Sequence, residues 1–158
     1  MNLWLAPAGL HIEHAQVADA DAAARLHAAG FYRGWSPEEF AAYIAGEGTP
    51  VYVACDAKRK IAGFSMLRHL DGDVELITIA VDTKWRKKGV GAALMRAMVD
   101  DLLRSRAKRL ILEVAADNTA ALKLYGKFGF KSIGERKGYY PRPDGTPATA
   151  IVMARDLG

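Results

Sequence analysis

The stretch Trp85-Arg86-Lys87-Lys88-Gly89-Val90-Gly91 sets three cations and two glycines directly before an apolar helical pattern, Val90, Leu94, Met98 and Leu102. A helix start already collects unpaired N–H groups and the positive end of the helix dipole. Cations there disfavour the helix unless an anion binds. The missing Cβ atoms of Gly89 and Gly91 would let backbone N–H groups approach a phosphate closely. A P-loop is excluded, because Gly-Lys-Ser/Thr is absent. A dinucleotide fingerprint, G-x-G-x-x-G, wants an acid about twenty residues on, which Glu113 could supply, but Leu94 holds the third glycine position. A loop of merely solvated lysines is the plain alternative.

Two further residues have the chemistry for group transfer. Glu113 interrupts the apolar run LILEV; a carboxylate there either faces solvent at an edge or works, and spacing alone favours solvent. Asn118 and Tyr125 are seven residues apart on a predicted helix, so they share a face roughly 10 Å apart along the axis. A phenol ordinarily titrates near 10 and is a proton donor at pH 7, although a lone tyrosine on such a helix more often belongs to the core. His11, His14, His27 and His69 form no metal pattern, and His11 and His14 fall on opposite faces of a predicted strand, so no metal is expected. Cys55, in the apolar run VYVAC, reads as an inert buried thiol.

These residues need elements to position them. Residues 10–15 suggest a first strand, with residues 1–9 a short extension. Asp19 to Ala29 is an Ala-rich helix stopped by Gly30. Ser36-Pro37-Glu38-Glu39 opens a second helix with a capping box. Val51–Cys55 and Ile61–Arg68 are strands around a polar turn, and Asp71-Gly72-Asp73 is a hairpin turn. The unbroken run Leu76–Val81 marks a central strand covered on both faces. A long helix runs from Gly89 to about Arg106, followed by a strand at Leu110–Val114. Asp117 or Asn118 caps a further helix ending near Gly129, and Lys131–Tyr140 and Ala148–Arg155 are the last strands. The order βααβββαβαββ gives an α/β fold: one mixed, mostly antiparallel sheet with a central βαβ unit and helices on both faces.

The 158 residues suit one domain with a substantial core, spanning residues 1–158. A net charge of +4 suits an anionic ligand without requiring nucleic acid, and no direct nucleic-acid partner is expected. No apolar run is long enough for a membrane span, so no membrane partner is expected. A single cysteine and an N-terminus without a positively charged leader point to the cytoplasm.

Arg86-x-x-Gly89-x-Gly91-Ala92 resembles the pyrophosphate-binding signature of the GNAT superfamily of acetyl-coenzyme A-dependent N-acetyltransferases, Q/R-x-x-G-x-G/A. The resemblance continues through Asn118-x-x-Ala121-x-x-Leu124-Tyr125 and Gly129-Phe130, and the element order matches from roughly Leu10 to Leu157. It implies acetyl-coenzyme A as co-substrate. Arg86 and the N–H groups of Lys87, Lys88, Gly89, Val90, Gly91 and Ala92 would hold the pyrophosphate, and the pantetheine would run along Ile79, Ala80 and Val81 against Asn118. Tyr125 would donate a proton to the leaving thiolate. The L-E-V at Glu113, Tyr139-Tyr140-Pro141 and Asp144-Gly145 are similar to stretches of the subgroup that acetylates protein N termini, most closely bacterial ribosomal-protein-alanine acetyltransferases. That similarity implies Glu113 as general base and an acceptor held by Phe31, Trp35, Tyr139 and Tyr140. The loop before Trp35 carries extra polar residues relative to that subgroup. The expected acceptor is a protein or peptide N terminus, such as that of a ribosomal protein. The alternatives are a small-molecule amine and a non-catalytic coenzyme A or nucleotide sensor. A monomer suits this reading, which leaves the oligomeric state open.

Overall fold

The computed structural model describes residues 3–30, 34–141 and 144–158, the side chains of 139–141 excepted. Eight strands form one sheet in the order β1-β2-β3-β4-β5-β6-β8-β7. The strands are β1 (Leu3–Leu5), β2 (His11–His14), β3 (Val51–Cys55), β4 (Ile61–His69), β5 (Asp73–Val81), β6 (Arg109–Ala115), β7 (Lys131–Pro141) and β8 (Pro147–Asp156). The helices are α1 (Ala20–Gly30), α2 (Pro37–Ala45), α3 (Val90–Leu103) and α4 (Thr119–Lys127). All neighbours are antiparallel except β5 and β6, which α3 joins by the expected crossover.

Local chemistry explains most boundaries. At α2 the Ser36 Oγ accepts from the Glu39 N–H at 3.1 Å, and Glu39 Oε1 accepts from the Ser36 N–H at 3.1 Å, which is the capping box read from sequence. Helix α3 stops at Leu103, short of Arg106: the Ser105 hydroxyl donates to the Leu102 carbonyl at 2.6 Å and closes the last turn. The first residues are more than an extension. Leu3–Leu5 pairs with β2, and the Trp4 indole N–H donates to Asp100 Oδ2 at 2.8 Å, tying this edge to α3.

Two apolar clusters cover the two faces of the sheet. On one, Leu94, Met95 and Met98 of α3 meet Tyr52, Leu67, Leu110 and Leu112. On the other, Ala23 of α1 and Phe40 of α2 meet Val53, Phe64 and Met66. No helix among the described residues is long and apolar enough to cross a membrane.

Strand β5 departs from the expectation of a fully covered strand. Val74, Leu76 and Thr78 are buried, but Ile77, Ile79, Ala80 and Val81 are only half-buried. The cause is topological. Only Asp73, Val74 and Glu75 pair with β6, whereas β4 follows β5 to Val81. The β4–β5 register shifts at Met66/Leu67, so Ile77 is an extra residue there, and such a bulge bends a strand and increases its twist. Beyond it β5 and β6 diverge, which leaves one edge of β5 open.

Candidate active site

The gap between β5 and β6 is the mouth of a cleft of about 560 Å³. Several elements line it. Ile79, Ala80 and Val81 come from the open edge of β5; Arg86, Lys87 and Gly89 from the following loop; Val90 and Gly91 from the first turn of α3. Glu113 comes from β6 and Asn118 and Tyr125 from the start and end of α4. The residues read from sequence as anion-binding, pantetheine-binding and catalytic therefore meet in one place, with two exceptions. Lys88 does not line the cleft, because its Nζ lies over the Trp85 ring, 5.3 Å from the centroid. Ala92 does not line it either: it lies a residue beyond Gly91, deeper in the first turn of α3.

The head of α3 is built to meet an anion. Gly89 is its N-cap in the left-handed conformation, φ +84°, and offers no side chain to the first N–H groups. Lys87 is also left-handed, φ +62°, and the first turn holds no acid. Arg86 is anchored through its Nε–H to the Val81 carbonyl at 3.2 Å, which ties the loop to the end of β5. Gly91 has ordinary helical geometry, and an added Cβ would find only Leu124 Cδ2, at 3.7 Å. The protein itself therefore does not require glycine at 91, and the bare backbone faces the cleft. Open N–H groups, exposed cations and a missing side chain on the cleft wall fit a pyrophosphate.

At the other end of the cleft, Tyr125 is 6% exposed, and its ring packs against Phe130 with centroids 5.8 Å apart. It is at once a core residue and a cleft residue. Asn118 Oδ1 caps α4 by accepting the Ala121 N–H at 3.2 Å, so this oxygen is engaged within the protein. Glu113 is not on an edge strand, since β6 lies between β5 and β8. Its Oε1 lies 3.2 Å from Arg136 Nη1 of β7.

Glu113, Leu76 and Ile77 also line a second cavity of about 310 Å³, whose other walls include Trp35, Tyr43, Arg68 and Glu75. Trp35 is held by His27: the Trp35 N–H donates to His27 Nδ1 at 3.3 Å, and the rings stack at 4.4 Å. Burial pulls His27 down to about 4, against the opposing pull of Glu39, which keeps Nδ1 an acceptor. Of the other acceptor residues read from sequence, Phe31 lies outside the described residues. Tyr139 and Tyr140 lie in β7, with side chains outside the description.

Sequence reasoning missed Glu75, Arg68 and Arg136, which reach the site through strand pairing, and Tyr43, which α2 brings to the second cavity; none of them carries a local motif. It also missed a cluster of His11, Glu13 and Cys55, whose possible ligand atoms lie within 4.8 Å of one another because β2 and β3 pair His11 with Cys55. Glu13 is engaged there by the Arg59 guanidinium, which also bonds Asp19, and burial pushes the Cys55 thiol up to about 11.

Residues 20–130 match the Acetyltransferase (GNAT) family. The chain belongs to the GNAT acetyltransferase family. Among curated GNAT relatives, the [ribosomal protein bS18]-alanine N-acetyltransferase of Escherichia coli is 38% identical over 95 residues, 60% of this chain and 64% of that protein. The matched part thus spans under two thirds of that relative's length. The N-alpha-acetyltransferase RimI of Mycobacterium tuberculosis is 34% identical over 147 residues, 89% of each chain. The crystal structure of the ribosomal-protein-S18-alanine N-acetyltransferase from E. coli superposes with a TM-score of 0.84, at 30% identity and 94% coverage of both chains. A structure of Arabidopsis thaliana NAA60 in complex with acetyl-CoA gives a TM-score of 0.81, with 93% of this chain and 98% of that one covered; at 18% identity that likeness is one of fold.

Proposed function

We propose that the protein transfers the acetyl group of acetyl-CoA to the N-terminal α-amine of a protein, such as a ribosomal protein. The observation that carries this reading is the convergence of an anion-ready helix start, an open strand edge, Glu113 and Tyr125 on one cleft. Coenzyme A is a long molecule with phosphates at one end and a thioester at the other, and the cleft offers matching chemistry at its two ends. Arg86, Lys87 and the N–H groups of Gly89 to Gly91 hold the pyrophosphate. The edge of β5 at Ile79 to Val81, which β6 does not cover, gives the amide groups of pantetheine hydrogen-bond partners, with Asn118 alongside.

Glu113 takes a proton from the acceptor amine, directly or through a water. The amine nitrogen attacks the thioester carbonyl, the C–S bond breaks, the Tyr125 hydroxyl protonates the departing sulfur, and the second proton released by the nitrogen restores the Tyr125 phenol. The acceptor class follows from proton energetics. An α-amine titrates near 8, so neutralising it at pH 7 costs about 1.4 kcal/mol, against nearly 5 kcal/mol for a lysine near 10.4. A lone carboxylate is a weak base and suits the easier task. Similarity to one protein named for alanine N-acetylation and to another named an N-alpha-acetyltransferase supports the same choice, as does Trp35, on the wall of the adjoining cavity. Acetyl-CoA should release its thiol only when a peptide with a free Ala N terminus is added. Glu113→Gln should slow that release most at low pH, where more of the amine is protonated. Release that is independent of peptide would overturn the reading.

A further inference from the structure

The second cavity has an unusual lining. Trp35 and Tyr43 present two aromatic rings, with centroids 5.4 Å apart and planes at 47°. Glu75 and Glu113 present two carboxylates. The parallel register pairs Glu75 with Ile111, and residues 111 and 113 share a face of β6. Glu75 and Glu113 therefore project from the same side of the sheet where β5 and β6 begin to part. Aromatic faces and carboxylates around one hollow are the chemistry that recognises a cation.

Each carboxylate now faces an arginine from a flanking strand. Arg68 Nη2 of β4 lies 2.5 Å from Glu75 Oε1, and Arg136 lies beside Glu113. Arg68 and Glu75 sit opposite each other across β4–β5, so a plain cross-strand ion pair would account for the two of them. It does not account for their facing a cavity that shares Leu76, Ile77 and Glu113 with the cleft. The pair is also half exposed, 52% at Arg68 and 31% at Glu75, and such pairs are weak enough to exchange.

We infer that this cavity captures the acceptor amine in its ammonium form, with Glu75 as the binding carboxylate and Arg68 as the cation the acceptor displaces. The inference rests on the N-terminal acetylation reading and deepens it. At pH 7 an α-amine near 8 is about nine-tenths protonated, so the ammonium ion is the form that arrives. Glu75 holds that charge beside Glu113, which accepts one proton before the nitrogen attacks.

The test is calorimetric and needs no turnover. The CoA-loaded protein is titrated with an Ala-first peptide and with the same peptide N-acetylated, which lacks the charge. Wild type should bind the free-amine peptide at least tenfold more tightly. Glu75→Gln should reduce that preference to under threefold while CoA affinity is unchanged. Arg68→Met, which removes the competing cation, should keep or enlarge the preference. Equal binding of both peptides by wild type, an undiminished preference in Glu75→Gln, or an equal loss in both variants would overturn the inference. If the charge preference is present and depends on Glu75 but no acetylation of the peptide occurs, the N-terminal acetylation reading fails alone.

Discussion

Arg136 Nη1 of β7 reaches across β8 to within 3.2 Å of Glu113 Oε1 on β6. The pair joins the proposed base to the hairpin whose tip carries the Asp144-Gly145 turn. Half-exposed pairs add little to stability, generally under about 1 kcal/mol, so a role for this one lies in orienting the carboxylate. Arg136→Gln should leave the unfolding free energy within about 0.5 kcal/mol of wild type and lower kcat/KM for a peptide about fivefold. The double variant with Glu113→Gln should be no slower than Glu113→Gln alone. Additive losses would mean that Arg136 acts elsewhere.

Gly91→Val examines the anion site. A Cβ at 91 meets only Leu124 at 3.7 Å, and the backbone is helical, so the fold should lose no more than about 1 kcal/mol. Coenzyme A affinity should fall at least about tenfold, because branched methyl groups fill the approach to the helix N–H groups. Gly89→Val is the contrast: at φ +84° it strains the backbone and should lower thermal stability as well. Unchanged CoA affinity in Gly91→Val, measured by calorimetry, would remove the phosphate from this loop.

Tyr125→Phe keeps the ring that packs on Phe130 and removes only the hydroxyl. We expect kcat to fall about 10²-fold, the lower end for one acid–base group, with KM for acetyl-CoA little changed. A variant with the wild-type kcat would return Tyr125 to the core.

Stability should carry a signature of His27. Its folded pKa is about 4, below the unfolded value near 6.5, so the unfolded chain takes up a proton that the folded protein refuses. The two states are alike at this site above pH 6.5. Stability is lost as pH falls from about 6.5 to about 4, by at most about 3 kcal/mol. Urea unfolding over that range should give a steeper decline for wild type than for His27→Gln. Parallel curves would contradict a buried neutral imidazole holding Trp35.

What the sequence revealed, and what it hid, divides by range. The capping box at Ser36 and the glycine-led start of α3 are local chemistry and were legible. So were Val90, Leu94, Met98 and Leu102, all buried on one face of α3. The meeting of Glu113 with Tyr125 rested on a resemblance, since spacing alone favoured a solvent-facing Glu113. Strand β1 was missed because three residues are too few to show alternation. The extra residue at Ile77 leaves no mark in an apolar run, although it accompanies the parting of β5 from β6. Arg68, Glu75 and Arg136 are ordinary surface residues until register brings them beside the site.

The most direct measurement is mass spectrometry of one peptide, Ala-first and with an internal lysine, after reaction with acetyl-CoA and the protein near pH 7. Acetyl should appear on the N-terminal nitrogen, with the lysine modified at least about 10²-fold more slowly, as the difference of about 3 kcal/mol in neutralising the two amines suggests. Acetyl found mainly on the lysine would contradict the N-terminal assignment.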